Sequence, residues 1–423
     1  MRTTWKILPG LALALLAAAP GTAQRFDGVR FTSPLSLSGG HDENFIVGDR
    51  ELDDTVYLFN APTLSVLKNT HTTDFSLGYQ PEFEFFSRHP DLNAWNHRAT
   101  LRWRQRLNSR WSLEAGDFFV STKDPTRQLG DSLYLLPRGR FQQNAAFAAV
   151  DYRLDRRTTM GFRFDNAVTT MALPGARAGL FDQVGGSVTV SLERILTRRH
   201  TLSGSYAALY VRPLHSQTPA VTGLVDFYKP AHTVNVDHTF KVNSGLILVL
   251  SGGVVRGHQL SYRAGALVEK RFGPIWAAAG YQRYLAFFGG ITPSGGLPPL
   301  TPFASGVLPG SLYEVGSFRL RGMLTRRLGV EMGGLRARSE VQTRDRDVKS
   351  VIGHFRLSHK LTERFILFTQ ADFYGQNMNE FLHSQLSRKR FFGGLEIVLM
   401  RPPEPAAVPK APPDNPQVPD EER

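Results

Sequence analysis

The chain has 423 residues, of which 41% are hydrophobic, with 39 glycines, 29 phenylalanines and no cysteine. Without cysteine there is no disulfide framework and no thiolate metal site, and beyond the N-terminal stretch no window supplies the ~20 apolar residues of a membrane helix. The formal net charge of +13 raises nucleic acid and anionic membranes as partners, and the placement of the basic residues decides between them.

The first 23 residues read as a secretory signal peptide: Arg2 and Lys6, an apolar run from Ile7 to Ala19, then the small residues of Pro20-Gly21-Thr22-Ala23. Mature protein is expected from Gln24. Residues 39–54, GGHDENFIVGDRELDD, are read as a first long loop, acidic through Asp42, Glu43, Asp49, Glu51, Asp53 and Asp54. Such carboxylates can hold Ca²⁺ or meet the divalent ions of lipopolysaccharide. EF-hand spacing is missing, and a solvated acidic loop is the reading adopted.

Residues 74–86, DFSLGYQPEFEFF, alternate strictly. Phe75, Leu77, Tyr79, Pro81, Phe83 and Phe85 fall on one face; Ser76, Gly78, Gln80, Glu82 and Glu84 fall on the other. A soluble sheet and a membrane barrel both produce that pattern, with opposite faces wetted. The next strand sets Arg98, Arg102, Arg104 and Arg106 against Ala99, Leu101 and Trp103. On a lipid face an arginine costs up to about 2–4 kcal/mol at the midplane, so these point inward if the sheet is a membrane barrel. Pro81 removes a ladder donor and marks a bulge.

A short unit then recurs: Leu107-Asn-Ser-Arg110, Leu154-Asp-Arg-Arg157, Leu196-Thr-Arg-Arg199, Leu324-Thr-Arg-Arg327 and Leu361-Thr-Glu-Arg364, with a variant at Val242-Asn-Ser-Gly245. Alternating segments flank each copy, which is the hairpin signal. Residues 39–54, 121–140, 167–182, 212–230, 289–310, 339–347 and 376–386 read instead as long loops. Short turns on one side and long loops on the other are the arrangement of outer-membrane barrels. Strands starting at Val29, Thr55, Asp74, Ala94, Trp111, Phe141, Thr158, Gln183, Thr201, Ala231, Gly245, Gln259, Ile275, Leu312, Leu328, Lys349, Arg364 and Ser387 give about 18, within a range of about 16–18. Their lengths, about 10–13 residues, fit a tilted membrane strand better than the ~5–6 of a soluble one. The fold class is therefore all-β: a transmembrane antiparallel up-and-down β-barrel over residues 24–400.

Aromatic residues gather at both strand ends. Trp103, Trp111, Tyr152, Phe240, Phe272, Trp276 and Phe365 lie toward the short turns; Phe83, Phe85, Trp95, Phe119, Tyr210, Phe287 and Phe373 lie toward the loops. This matches two interfacial girdles. The arginines divide likewise. Arg110, Arg156, Arg157, Arg198, Arg199, Arg326, Arg327 and Arg364 sit on turns beside phospholipid headgroups, which leaves no call for nucleic acid. By parity a pore-lining set faces the lumen: Arg98, Arg102, Arg104, Arg163, Arg263, Arg319, Arg321 and Arg356, with Glu82 and Glu84. Glu114, Asp165, Glu193, Glu269 and Asp372 share that face. Ion pairs between the Glu82/Glu84 strand and the Arg98/Arg104 strand would brace the wall; unpaired, the same arginines would form an anion-selective constriction.

Loop 289–310 is uncharged and rich in Gly and Pro, fit either to narrow the lumen or to form an exposed adhesive surface. The last strand, FFGGLEIVLM, residues 391–400, resembles the C-terminal assembly signal of outer-membrane barrels, although Gly393 stands where that signal prefers a polar residue. After it, residues 401–423 form a Pro-rich tail, extended or disordered and placed in the periplasm, where it is either inert or a tether to a periplasmic partner. No His-Glu-x-x-His, phosphate loop or spaced triad singles out catalysis or a cofactor.

Across residues 29–400 the chain resembles bacterial outer-membrane β-barrel proteins of the porin type, some of which accompany exopolysaccharide gene clusters. The resemblance rests on the leader, the alternating strands, the sorted turns and the last strand. It implies an outer-membrane protein in contact with lipid and lipopolysaccharide. Its first implied function is passive diffusion of small polar or anionic solutes through an arginine-lined lumen. The alternatives are a barrel assisting exopolysaccharide export and a non-conducting adhesin or structural barrel.

Overall fold

The structure is a computed structural model that describes residues 29–47, 50–128, 138–172, 182–214, 230–243, 245–257, 259–286, 311–341, 347–377 and 385–399. The signal peptide, Phe287, loop 289–310 and the tail at 401–423 lie outside the described residues.

Twenty strand segments form one sheet: β1 (Val29–Phe31), β2 (Leu35–Val47), β3 (Arg50–Asn60), β4 (Leu64–Asn69), β5 (Thr73–Phe86), β6 (Ala94–Arg106), β7 (Trp111–Thr122), β8 (Arg140–Arg153), β9 (Thr158–Ala172), β10 (Gln183–Ile195), β11 (His200–Pro213), β12 (Ala231–Asn243), β13 (Leu246–Arg256), β14 (Leu260–Phe272), β15 (Ile275–Ala286), β16 (Ser311–Met323), β17 (Leu328–Val341), β18 (Asp347–Lys360), β19 (Phe365–Asn377) and β20 (Gln385–Ile397). From β5 to β20 each strand pairs antiparallel with the next in the chain, β2 pairs with β3, and β20 closes onto β2 from Leu35 opposite Ile397 to Glu43 opposite Lys389. The result is the expected up-and-down barrel of 18 staves. Two staves are broken: β1 with β2 makes the first, and β3 with β4 makes the second, because β5 pairs with β3 through Glu82–Phe86 and with β4 through Asp74–Tyr79.

Three prolines explain the breaks. Pro34 and Pro62 lie in the two interruptions, and Pro81 faces the second from β5. None can donate to a ladder. Hydroxyls stitch the gap instead: Thr63 N–H donates to Ser33 Oγ at 2.7 Å, Thr32 Oγ1 and Ser65 Oγ lie 2.8 Å apart, and Gln80 reaches the Ala61 carbonyl at 3.2 Å. So the irregularity expected at Pro81 falls in the stave beside it; on its other side Pro81 stays in register opposite His97.

The recurring turn unit has one geometry. The N–H of Leu107 donates to the Trp111 carbonyl, and those of Leu154, Leu196, Leu324 and Leu361 repeat the bond four residues on. The side-chain oxygen of the second residue (Asn108, Asp155, Thr197, Thr325 or Thr362) accepts the N–H groups of the fourth and fifth. An Asn, Asp or Thr that can satisfy two turn amides is what that position requires. Gly273, at φ +58°, turns β14 into β15 where other residues are disfavoured.

Faces follow parity. On β5, Leu77, Tyr79 and Phe85 are 42–47% exposed while Glu84 is 1% exposed. The apolar face is outside and the carboxylates are inside, the arrangement of a barrel standing in lipid.

Candidate functional site: the barrel interior and its plug

The site is built from staves that continue past the lipid-facing wall and fold inward. The first expectation to be corrected is the solvated acidic loop at 39–54. This segment is a β2–β3 hairpin whose register slips between Asp42 and Phe45. Asn44 takes φ +56° at the slip, with its N–H donating to Asp53 Oδ1 at 2.7 Å. The bend carries Phe45 and Ile46, 0% and 7% exposed, among other buried side chains. Asp42 and Asp54 are buried too, because partners wait for them. The Asp54 carboxylate accepts from the N–H groups of Thr55, Arg88 and His89 and from the Ser87 hydroxyl, fixing the connection between β5 and β6.

A second element enters after β7. The chain passes Asp124, makes one helical turn at Pro125–Gln128, and returns at Arg138. Asp124, Thr126 and Arg138 are 0–3% exposed. Arg138 N–H donates to the Ile46 carbonyl at 2.6 Å, so the two inward elements touch.

Charge locks them to the wall. Arg388 of β20 grips Asp42 with Nε and Nη2 at 2.8 and 2.6 Å, and Asp124 with Nη1 and Nη2 at 3.1 and 2.6 Å. Arg138 reaches Asp124 at 3.4 Å and Glu84 at 2.7 Å, with its guanidinium 4.5 Å from the Phe86 ring centre. Asn96 then donates to Glu84 at 2.7 Å and to Glu82 at 2.9 Å. Burial works to raise the Asp124 carboxyl, but the Arg388 and Arg138 guanidiniums outweigh it and hold it well below the usual carboxylate range. Two forked guanidiniums between carboxylates from separate staves make a plug whose parts are fixed by one another.

Beside the network lies one apolar cluster: Ile46, Val120, Phe141, Tyr313, Val348 and Tyr374 are among its members. These residues come from β2, β7, β8, β16, β18 and β19, which lie on different sides of the ring, so the cluster crosses the interior. A cavity of about 340 Å³ is lined by Ser36, Gln80, Asn96, Arg98, Arg356 and Arg390, among others. A second, also about 340 Å³, is lined by Arg319, Glu331, His354, Asp372 and Arg390. Arg390 borders both. Its Nη2 holds Asp372 at 2.6 Å, while its Nε and Nη1 meet no hydrogen-bond partner among the described residues.

The ten sequence-assigned lumen residues lie on six strands, β5, β6, β9, β14, β16 and β18, at different heights and in different company. Arg102 and Arg104 stand at the end near the short turns and share Glu114 of β7, at 3.1 and 2.6 Å. Arg163 pairs with Asp165 at 2.7 Å, and Arg356 with Glu396 at 2.6 Å. Arg321 lies over the Trp276 ring, 4.8 Å from its centre. Arg98, Arg263 and Arg319 are half-buried along the wall. Against the expected pairing, register keeps Arg104 away from Glu82 and Glu84, whose hydrogen bonds run to Asn96 and, for Glu84, to Arg138. Glu84 stands opposite Ala94 and Glu82 opposite Asn96, whereas Arg104 stands opposite Asp74, ten residues away along β5. Sequence reading missed Arg138, Asp124, Arg388 and Arg390. The last two carried a signal, since Arg388, Arg390 and Phe392 alternate on the inward parity of β20.

No protein-family model matches the chain, and no curated protein matches it. Among solved structures it is similar to Pseudomonas aeruginosa OpdL (14% identity, TM-score 0.43, covering 87% of this chain and 99% of that one). It is similar also to P. aeruginosa OccK2 (OpdF), at 12% identity and TM-score 0.45, covering 88% of this chain and 100% of that one. The siderophore receptor PirA of the same organism follows at 9% and 0.37, covering 87% and 81%. The barrel assignment rests on this chain's own strand pairing.

Proposed function

We propose that the chain is an outer-membrane, porin-like channel that passes small polar or anionic solutes through an arginine-lined interior. The carrying observation is Arg390, a buried cation whose Nε and Nη1 meet no hydrogen-bond partner among the described residues, set between two interior cavities below the plug. A guanidinium held on one side by Asp372 retains donors for a passing carboxylate or hydroxyl. Arg98 and Arg356 on the first cavity add positive potential, and Arg102 and Arg104 add it at the mouth near the short turns. The outer face is apolar and places the barrel in a bilayer.

The test is single-channel recording of refolded protein in a planar bilayer under a KCl gradient. Discrete steps with an anion-favouring reversal potential, reduced by Arg390→Gln and by Arg102→Ala with Arg104→Ala, are expected. A folded barrel that stays silent even when the plug is weakened would sink the channel. The packed interior favours one second reading, the non-conducting structural barrel, which predicts that silence. Export of exopolysaccharide would need the whole apolar cluster to part, a larger rearrangement than small-solute passage.

A further inference from the structure

The mouth near the short turns holds a basic cleft that the wall leaves unneutralised. It measures about 350 Å³, lies between the β4–β5 and β6–β7 turns, and is lined by Asp74, Arg104, Arg106, Arg110, Asp151 and Arg153, among others. Arg104 already holds Glu114 at 2.6 Å. Arg106, Arg110 and Arg153 are exposed, and their guanidiniums make no hydrogen bond or ion pair among the described residues. Arg106 shares the parity of Arg104 on β6, and Arg153 that of Asp151 on β8; Ser112 of β7 stands opposite both Arg106 and Asp151, so these residues lie on one face of the wall. That face is the inner one, since Glu114 shares it and Trp103 and Trp111 take the other. The Arg153 N–H donates to the Arg110 carbonyl at 2.8 Å, which sets the two turns side by side. Phospholipid headgroups outside the barrel therefore do not serve Arg106 and Arg153; an anion has to come from the mouth.

The chain supplies an anion on that side of the membrane. β20 runs toward the short turns, and the Val398 N–H donates to the Arg364 carbonyl of the β18–β19 turn, so the segment after Leu399 departs from the same mouth. Residues 400–423 lie outside the described residues, and it is their sequence that bears on the cleft. Arg401 and Lys410 stand near the root; Asp414, Asp420, Glu421 and Glu422 stand further out. The cleft begins four staves from β20, about 19 Å along the wall at ~4.8 Å per strand. Asp420 is 21 residues past Leu399. A polyproline-like chain of that length reaches up to ~65 Å at ~3.1 Å per residue, and a fully flexible one spans ~25 Å on average. Either regime brings the acidic run to the arginines. A tether of this span holds its end at an effective concentration on the order of millimolar, so even a weak site fills.

We propose that the acidic run Asp420-Glu421-Glu422 docks on the cleft of Arg104, Arg106, Arg110 and Arg153 in its own barrel. A guanidinium offers a planar fork of donors that matches a carboxylate, and three such forks stand open here. The contacts are exposed, so salt screens them: the Debye length falls from about 10 Å at 0.1 M to about 3 Å at 1 M. Docking is therefore reversible and strongest at low ionic strength. The docked run covers arginines at the mouth and stands where anions would arrive from the periplasm. The docking itself does not depend on whether the barrel conducts, and its test reads contact alone.

The chain has no cysteine, so one pair can be introduced cleanly. Val418→Cys is combined with Ser109→Cys, in the β6–β7 turn at the cleft, in the full chain. The protein is oxidised with copper phenanthroline in neutral-lipid liposomes at limiting protein-to-lipid ratio. Val418→Cys with Arg326→Cys is the control: Arg326 fills the same place in the β16–β17 turn, which lies nearer β20 along the wall. At about 20 mM salt the intrachain disulfide to Ser109→Cys should exceed the control at least several-fold. It should fall to the control level at about 1 M salt, and on adding Asp420→Asn, Glu421→Gln and Glu422→Gln. Equal yields at both turns, links between chains in place of links within one, or indifference to those three substitutions overturns the proposal. A link that vanishes when phosphatidylglycerol is added at constant salt assigns the cleft to lipid headgroups and overturns it as well. Should the Ser109→Cys barrel fail to fold, Val418→Cys alone, carrying a spin label, decides. Immobilisation at low salt that is lost in Arg106→Gln with Arg153→Gln supports the proposal, and equal mobility in both proteins overturns it.

Discussion

Arg388→Met is the most direct probe of the plug. The side chain is 1% exposed and carries four hydrogen bonds to two carboxylates. Methionine keeps much of the volume and removes the charge. Removing one partner of a buried ion pair costs about 3–5 kcal/mol, because the other charge is stranded. The stranded group differs between the two plug elements. Asp124 retains Arg138 at 3.4 Å, whereas Asp42 loses both of its charge-assisted bonds. The penalty therefore falls on the β2–β3 hairpin, which should swing out while Asp124 and Arg138 stay paired. At about 1.4 kcal/mol per tenfold change, 3–5 kcal/mol shifts the closed-to-open ratio by roughly 10² to several times 10³. Open probability in planar bilayers should rise accordingly, with heat-modifiability unchanged. Adding Asp42→Asn removes the stranded charge and should return most of the closed population. A folded Arg388→Met barrel with unaltered conductance, or a double variant as open as the single, would refute the view that this charge pair holds the hairpin in.

Three further outcomes are expected. Glu114→Gln frees Arg102 and Arg104, whose side chains are 55% and 53% exposed; exposed pairs contribute about 0–1 kcal/mol, so stability should hold while the reversal potential moves toward anions, and an unmoved potential would return both arginines to a bracing role. Asp124 titrates below its ordinary range in the folded state, so its contribution is fully present above the unfolded value of ~3.9 and lost as pH falls below it; open probability should be flat from pH 8 to 5 and rise under about pH 4, and opening between pH 7 and 5 would contradict this assignment. Thr325→Ala leaves two turn amides without their hydroxyl acceptor and should cost about 0.5–1.5 kcal/mol in urea unfolding, whereas Thr325→Asn should be near neutral because Asn108 fills the same place in its own turn.

The barrel was legible because its signals are local. A period of two fixes which face each residue takes, and a turn of four residues carries its own cap in Asn108, Asp155 or Thr325. Even the stave count survived the broken first two staves, since β1 with β2 and β3 with β4 each read as one alternating segment. Parity also assigned the arginines of the lumen set to one face of their strands. It gave no height, however, and height decides partners. Glu82 and Glu84 lie on the strand next to Arg98 and Arg104, yet they bind Asn96 and Arg138 because register sets them at the opposite end of the wall from Arg104.

The plug was illegible for a different reason. Arg388 and Asp42 are 346 residues apart, and an acidic turn reads alike whether water or a guanidinium solvates it. What marks the later part of residues 39–54 as strand is the alternation of Leu52, Asp54, Val56 and Leu58 with Asp53, Thr55 and Tyr57, whereas Gly39, Gly40, Asp42 and Asn44 carry ordinary turn signals. The chemistry of the plug then bears on how it could move. Buried ion pairs add little net stability over apolar packing, but they fix geometry closely. Here Asp42, Glu84, Asp124, Arg138 and Arg388 come from five separate places along the chain, each gripped by a neighbour in the set. Loss of one grip strands a charge in the next. Such a network favours two states, fully engaged or released, over a continuum of partial openings, and a stop that must yield without unfolding the wall around it needs that property.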